Sequence, residues 1–251
     1  MPSAVQPAVL LLHSLGVSGR MWARVAAALG PGWRTLTPDL RGHAGAAADG
    51  PFTTAGAVDD LERRCEREGA AVHLVGTGLG SLVAAELAAR RPDLVRSLAL
   101  ASTYVRVPGG GAERLRATRE QLASGAFEQF AASYLDATLL PGADPTARRV
   151  LLDGLLATGP ARFLEALAAG MAADQQACLG SVRAPALVLV GAEDARTPLA
   201  GAREVADLLP AARLQILEGA GHLAAVDTPA TFAAALEAFW SACEVGAGAG
   251  G

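Results

Sequence analysis

The sequence predicts an α/β fold in which a mainly parallel sheet is flanked by helices. Short apolar runs suited to buried strands alternate with helix-forming stretches along most of the chain. The 251 residues, 51% hydrophobic but only 4% aromatic, suffice for one large domain with an aliphatic, alanine-rich core. The alternation stops once, between Val105 and Ser181. We therefore expect an α/β core that carries one inserted segment.

Six strand-like runs build the predicted sheet. They are Ala8 to His13, Arg34 to Thr37, Val72 to Val75, Leu98 to Ala101, Ala186 to Val190 and Leu214 to Leu217. Strands that alternate in this way with helical stretches are typical of a parallel sheet covered on both faces. A sheet of about six strands is therefore expected.

The inserted segment is predicted to be helical, because four amphipathic stretches follow one another there without strands between them. They cover roughly Ala112 to Ala123, Phe127 to Leu139, Pro145 to Ala157 and Arg162 to Ala172, and are separated by Gly109-Gly110-Gly111, Pro141-Gly142 and Gly159-Pro160. Ala184-Pro185 marks the return to the core. The predicted division is a core of residues 1–105 and 181–251 and a helical segment of residues 106–180, with residues 246–251 as a flexible tail.

The most informative motif is a glycine-rich turn, Gly76-Thr77-Gly78-Leu79-Gly80-Ser81. An apolar run precedes it and the strong helix former Leu79 to Arg90 follows, so it joins a strand to a helix. A dinucleotide-binding fingerprint is an alternative interpretation. It is disfavoured because Ser81 replaces the third glycine, two strands already precede the turn, and the next strand ends in Ser102 and Thr103 without an acid.

An acid and a histidine follow later strands. Asp194 comes after the run that ends at Val190, and His222 comes after the next strand and a Gly-Ala-Gly turn. Turn, acid and histidine in this order are typical of α/β-hydrolases. With His13-Ser14-Leu15-Gly16 after the first strand and Met21-Trp22 beyond it, the chain resembles the α/β-hydrolase superfamily over nearly its whole length. It is most similar to the 3-oxoadipate enol-lactonase group.

The resemblance implies that Gly78 stands where the superfamily carries its nucleophilic serine. The residue at that place has an unfavourable positive φ, which glycine adopts without penalty, so the fold is expected to persist while the attacking atom is lost. The resemblance also implies that residues 106–180 form a helical cap over the site. Members usually begin with an antiparallel strand pair, and since only Met1 to Pro7 are available here, we expect that pair to be missing or much reduced.

The resemblance further implies a base and an oxyanion hole. Asp194 would orient the ring of His222 as the base, and the backbone N–H groups of Leu15 and Leu79 would stabilise an oxyanion. Ser14 and Ser81 are the nearest substitutes for the nucleophile, and both are disfavoured because neither lies at the apex of the turn. The predicted pocket residues, for which core packing is an equal alternative where they are apolar, are Ser14, Trp22, Thr77, Ser102, Thr103, Phe127, Phe130, Tyr134, Phe163 and Met171. His13 and His43 are expected to brace loops and His73 to be structural.

Composition limits the partners. A net charge of −4 with interspersed signs leaves no basic stripe for nucleic acid, and no apolar run approaches the ~20 residues that cross a bilayer. Cys65, Cys178 and Cys243 lack metal-ligand spacing and are expected to be free thiols. With no signal peptide recognised, a cytoplasmic protein is expected that acts on a small molecule without cofactor or metal. Whether it forms a homo-oligomer stays open.

The sequence is compatible with three functions. The first is non-covalent acid/base chemistry by His222 and Asp194 on a mostly apolar metabolite, such as elimination, cyclisation, decarboxylation or direct hydrolysis. The second is an ester or lactone hydrolase whose serine was replaced by Gly78. The third is a protein that only binds its ligand.

Overall fold

The computed structural model describes residues 6–107, 111–123 and 125–248, and these contain a six-stranded sheet. Its strands are β1 Ala8–Leu12, β2 Arg34–Leu36, β3 Val72–Thr77, β4 Val95–Ala101, β5 Ala186–Gly191 and β6 Ala212–Leu217. The order across the sheet is β2-β1-β3-β4-β5-β6, and each neighbouring pair is parallel. The predicted fold class and strand number are confirmed.

Burial explains why these strands read as apolar runs. β1, β3 and β5 are buried at each residue, since helices cover both faces of a parallel sheet. Successive side chains of β1 point to opposite faces: Leu10 and Leu12 join one hydrophobic cluster, and Val9 and Leu11 join the other. β6 lies at an edge and is largely exposed, and Ile216 keeps 41% of its surface accessible.

Ten α-helices surround the sheet in the described part of the chain. They are α1 Ala23–Leu29, α2 Thr54–Glu68, α3 Leu79–Arg90, α4 Ala112–Ala123, α5 Phe127–Asp136, α6 Pro145–Ala172, α7 Gln176–Ser181, α8 Leu199–Leu208, α9 Ala224–Asp227 and α10 Pro229–Gly248. Short 3₁₀ helices cover Gly19–Trp22 and Gly30–Gly32. α2 begins after Thr53, whose side chain accepts a hydrogen bond from the Gly56 N–H, and ends at the left-handed Gly69.

Helices α4 to α7 occupy the predicted insertion between β4 and β5. The first predicted stretch matches α4, and the second begins with α5 at Phe127. The third and fourth form the single element α6, interrupted at Gly159, whose φ of 75° is not helical and which precedes Pro160. The predicted break is therefore present as a kink at Gly159 within α6.

The chain ends differ in part from the expectations. Residues 1–5 of the segment predicted to lack a strand pair lie outside the described residues, as do Gly109 and Gly110 and residues 249–251 of the predicted tail. Residues 246–248 of that tail belong to α10. The cysteines Cys65, Cys178 and Cys243 are free thiols. Among the described helices, none has the length and apolar character needed to cross a membrane.

Candidate active site

The turn between β3 and α3 has the sharp geometry expected of a catalytic elbow. Gly78 has φ 55° and ψ −120°, a conformation that residues with a side chain rarely adopt. Helix α3 approaches strand β1 so closely that a Cβ on Gly80 would lie 2.5 Å from the carbonyl oxygen of Leu12. The turn is held by the Ser81 hydroxyl, which donates to the Gly78 carbonyl at 2.6 Å. Ser81 is thus a structural residue of the turn.

The loops after β5 and β6 bring Asp194 and His222 together. Nδ1 of His222 lies 3.1 Å from Oδ2 of Asp194 and 3.2 Å from Oδ1. Because a carboxylate at Nδ1 fixes the tautomer of an imidazole, Nε2 is left as the basic nitrogen. The ring lines a cavity, so this arrangement can remove a proton from a bound molecule.

Asp194 is buried and held as a carboxylate. The backbone N–H groups of Arg196 and Thr197 each donate to its Oδ1 at 2.9 Å, and the Thr197 hydroxyl donates to its Oδ2 at 2.5 Å. Burial by itself would raise the pKa of Asp194, but the hydrogen bonds from His222 and Thr197 outweigh it and lower the pKa to about 2. The acid is therefore ionised at neutral pH and can stabilise a protonated imidazole.

The main chain of His222 is fixed from two sides. The hydroxyl of Ser102 donates to the His222 carbonyl oxygen at 2.5 Å, and Ser102 has an unusual φ of 49°. The Gly221 N–H donates to Oδ2 of Asp227 at 2.9 Å. These contacts hold the histidine loop at the carboxyl edge of the sheet, where open α/β folds bind ligands.

A cavity of about 410 Å³ lies over the elbow. It brings together nine of the predicted site residues: Ser14, Leu15, Gly78, Leu79, Ser102, Thr103, Tyr134, Met171 and His222. Leu79 is the first residue of α3, so its N–H has no acceptor within the helix. Leu15 lines the same cavity from the loop after β1. The oxyanion hole formed by the two N–H groups stays a prediction.

The other five predicted pocket residues do not line this cavity. Phe130 and Phe163 line an adjacent cavity of about 250 Å³, and Phe127 stacks on Phe130 with ring centroids 6.1 Å apart. Trp22 is fully buried against Phe232, and Thr77 is buried at the end of β3. Core packing, the alternative given for the apolar residues, accounts for Trp22.

Several lining residues were not foreseen. Arg196 lies with its guanidinium 4.8 Å from the centre of the Tyr134 ring and donates to Oγ1 of Thr138 at 2.6 Å. The positions of Arg196 and Thr197, two and three residues after Asp194, could have indicated from the sequence that both lie at the site. The cavity residues of the insertion and of α8 could not be predicted from the sequence, because the direction of each side chain depends on how these helices pack. The unforeseen lining residues are Tyr104, Arg106, Val107, Arg114, Ala166, Leu167, Gly170, Arg196, Thr197, Pro198, Ala200, Gly201 and Glu204.

The other histidines are held away from catalysis by burial. Nδ1 of His13 donates to the Ser14 carbonyl oxygen at 2.8 Å, while its Nε2 accepts from the Leu40 N–H at 2.9 Å. Burial lowers the pKa of His13 to about 4 and that of His43 to about 3. His73 lies in β3, and Nδ1 of its ring is 2.8 Å from the Ser97 hydroxyl. All three rings are buried, and none of them lines the cavity.

A parallel sheet, an elbow after β3, an acid after β5 and a histidine after β6 define the α/β-hydrolase class. The chain belongs to the alpha/beta hydrolase fold family, whose model matches residues 7–229. A pimeloyl-[acyl-carrier protein] methyl ester esterase of Chromobacterium violaceum is 38% identical over 226 residues, which cover 86% of this chain and 87% of that protein.

Solved structures are similar over nearly the whole chain. A hydrolase from Pseudomonas aeruginosa PA01 superposes with a TM-score of 0.84 at 29% identity, covering 95% of this chain and 91% of that one. The enol-lactonase from Burkholderia xenovorans LB400 gives a TM-score of 0.83 at 26% identity, covering 96% and 94%. The second likeness agrees with the superfamily predicted from the sequence, while the assignment to the enol-lactonase group stays a prediction.

Proposed function

We propose that this protein hydrolyses a carboxylic ester or lactone of a small, mostly apolar metabolite by direct attack of water, without an acyl-enzyme at residue 78. His222 removes the proton from water, Asp194 stabilises the resulting imidazolium, and the N–H groups of Leu15 and Leu79 stabilise the oxyanion. No cofactor or metal takes part. Helices α4 to α7 form the cap over this pocket, and the protein acts in the cytoplasm.

One observation carries this proposal: the imidazole of His222, with Nδ1 3.1 Å from Asp194, lines the same cavity as Gly78 and Leu79. A base oriented by a carboxylate typically contributes 10²–10⁴-fold to a proton transfer. Ester hydrolysis is favoured among the non-covalent reactions because the relative of 38% identity is an esterase. A base and two N–H donors are sufficient to generate a hydroxide equivalent and stabilise the tetrahedral intermediate.

The test measures hydrolysis of p-nitrophenyl butyrate and of short-chain methyl esters. We expect slow wild-type turnover without a burst, a loss of about 100-fold or more in kcat/KM for His222→Ala, and a smaller loss for Asp194→Asn. Circular dichroism shows whether each variant is folded. Full turnover by a folded His222→Ala protein would contradict the proposal, and a wild-type protein inert toward every ester would favour the role of a ligand-binding protein.

A second candidate is a serine ester hydrolase that lost its nucleophile by substitution at position 78. The elbow conformation of Gly78, with φ 55° and ψ −120°, favours it, because the backbone is still shaped to present a side chain at the apex. A serine restored at position 78 would then produce a burst with p-nitrophenyl butyrate. Complete inertness of that variant, with the fold retained, would argue against this candidate.

A further inference from the structure

The hydroxyl of Ser14 lies at the place where the elbow would carry its side chain. A Cβ built on Gly78 would be 2.4 Å from Oγ of Ser14 and 3.3 Å from its Cβ. Carbon and oxygen atoms that are not bonded to each other do not approach so closely. The serine side chain missing from the loop after β3 is thus matched by a serine side chain that reaches the same volume from the loop after β1.

This hydroxyl is buried and available. Ser14 is 5% exposed and lines the cavity together with Gly78 and His222. Within residues 6–107, 111–123 and 125–248, no group forms a hydrogen bond with Oγ of Ser14, whereas the hydroxyls of Ser81 and Ser102 donate to backbone carbonyls. The residue lines the cavity, and its oxygen is not among the fully enclosed polar atoms without a partner, so a ligand or water in the cavity can hydrogen-bond it.

Hydrogen bonds hold the loop that carries Ser14. The ring of His13 donates to the Ser14 carbonyl oxygen and accepts from the Leu40 N–H, which fixes the main chain on both sides of the ring. Two residues on, the Gly16 carbonyl accepts from the Thr158 hydroxyl of α6 at 2.9 Å. Ser14 also precedes Leu15, a predicted oxyanion donor, so its hydroxyl is close to the place of the reacting carbonyl.

We propose that Ser14 is a catalytic residue that hydrogen-bonds the attacking water and holds it between the elbow and His222. This inference rests on the proposed function. In the described part of the chain, Nδ1 of His222 contacts Asp194 and Thr197, and no hydrogen bond joins the His222 ring to Ser14. Because Ser14 and His222 line the same cavity, a water molecule held by the Ser14 hydroxyl can lie within reach of Nε2 and give its proton to it.

The reaction balances without a covalent enzyme intermediate. The water oxygen forms a bond to the carbonyl carbon, its proton goes to Nε2 of His222, and the carbonyl electron pair moves to the oxygen held by Leu15 and Leu79. Collapse of this intermediate breaks the bond to the alkoxy oxygen, which takes the proton from His222 and leaves as the alcohol. The products are the carboxylic acid and the alcohol, and the Ser14 hydroxyl is unchanged throughout.

The first experiment is Ser14→Ala, assayed with p-nitrophenyl butyrate beside the control Ser181→Ala, an exposed serine on α7. We expect kcat to fall about 10- to 100-fold in Ser14→Ala with KM and the pH midpoint of the base unchanged, and no change in the control. Unchanged kcat in Ser14→Ala would overturn the inference. If His222→Ala still loses its activity, the proposed function survives that result.

The second experiment exchanges the residues at positions 14 and 78, so that the serine lies at the elbow. A fluorophosphonate probe with mass-spectrometric mapping is expected to label residue 78 in the double variant Ser14→Gly/Gly78→Ser, and more slowly in Gly78→Ser alone, where Ser14 must first rotate away. Equal labelling rates in these two variants would show that Ser14 does not occupy the apex. A fluorophosphonate adduct on Ser14 of the wild-type protein would also overturn the inference, because Ser14 would then be the nucleophile itself.

Discussion

The hydroxyl of Thr197 lies 2.5 Å from Oδ2 of Asp194 and 3.3 Å from Nδ1 of His222. It donates to the carboxylate, and so fixes the rotamer of Asp194 that faces the ring. Because the backbone N–H of the same residue also donates to Asp194, one residue holds both oxygens of the acid. The dyad is thus supported by a third side chain that the sequence motif does not contain.

Thr197→Val is expected to lower kcat about tenfold and the free energy of unfolding by about 1.5–3 kcal/mol, since it removes a buried hydrogen bond to a charged group while keeping the side-chain volume. Ester hydrolysis and urea unfolding measure the two effects. Thr35→Val, on the edge strand β2, is the matched control and is expected to leave activity unchanged. Wild-type kcat in Thr197→Val would show that the backbone donors alone position the acid.

Asp194 is expected to stabilise the fold in a way that acid removes. Its pKa is lowered from 3.8 to about 2, so the stabilisation is full above pH 3.8 and is lost as the pH falls through about 2. The wild type is expected to lose its advantage in unfolding free energy over Asp194→Asn as the pH falls from 3.8 to about 2. The difference between the two proteins should shrink by up to about 2 kcal/mol over this range. Urea unfolding from pH 5.5 downward measures this difference, and a constant difference would contradict it.

His73 is expected to destabilise the protein in mild acid. Burial lowers its pKa from 6.5 to about 4, so the unfolded chain binds the proton first and stability falls as the pH drops from 6.5 to 4. Phenylalanine keeps the ring packed beside Trp33 and Trp240 but cannot titrate. His73→Phe is expected to lose about 1 kcal/mol at pH 8 with the Ser97 hydrogen bond. The difference in unfolding free energy between the wild type and His73→Phe is expected to narrow toward pH 4.5. Parallel curves of unfolding free energy against pH for the two proteins would show that His73 does not cause the loss of stability in acid.

Gly80 is expected to tolerate no side chain. In Gly80→Ala the new methyl would lie 2.5 Å from the Leu12 carbonyl oxygen, which is backbone and cannot move aside, so we expect a loss of roughly 2–3 kcal/mol. Gly201→Ala is the control, because its methyl meets nothing within 4 Å in α8 and is expected to stabilise the helix slightly. Thermal unfolding compares the two variants, and similar midpoints would contradict the close approach of β1 and α3.

The sheet could be predicted from sequence because buried parallel strands read as apolar runs, and each of the six predicted runs overlaps a strand. The chemical motif was equally local, because Gly78, Asp194 and His222 each lie in the segment that comes next after a strand. Side chains from the insertion could not be placed, because α6 alone supplies Phe163 to one cavity and Met171 to the other. Ser14 was visible in the sequence, but its reach into the elbow depends on the register of β1 against β3, which no local pattern encodes.

The shared volume at the elbow also bears on engineering of the site. A serine introduced at position 78 would enter a volume that the Ser14 hydroxyl already occupies, so the Ser14 side chain must adopt another rotamer before the new residue fits. Because the crowded atom is the end of a short side chain and not backbone, this rearrangement is local. A redesign that installs a nucleophile here should therefore treat positions 14 and 78 as a pair.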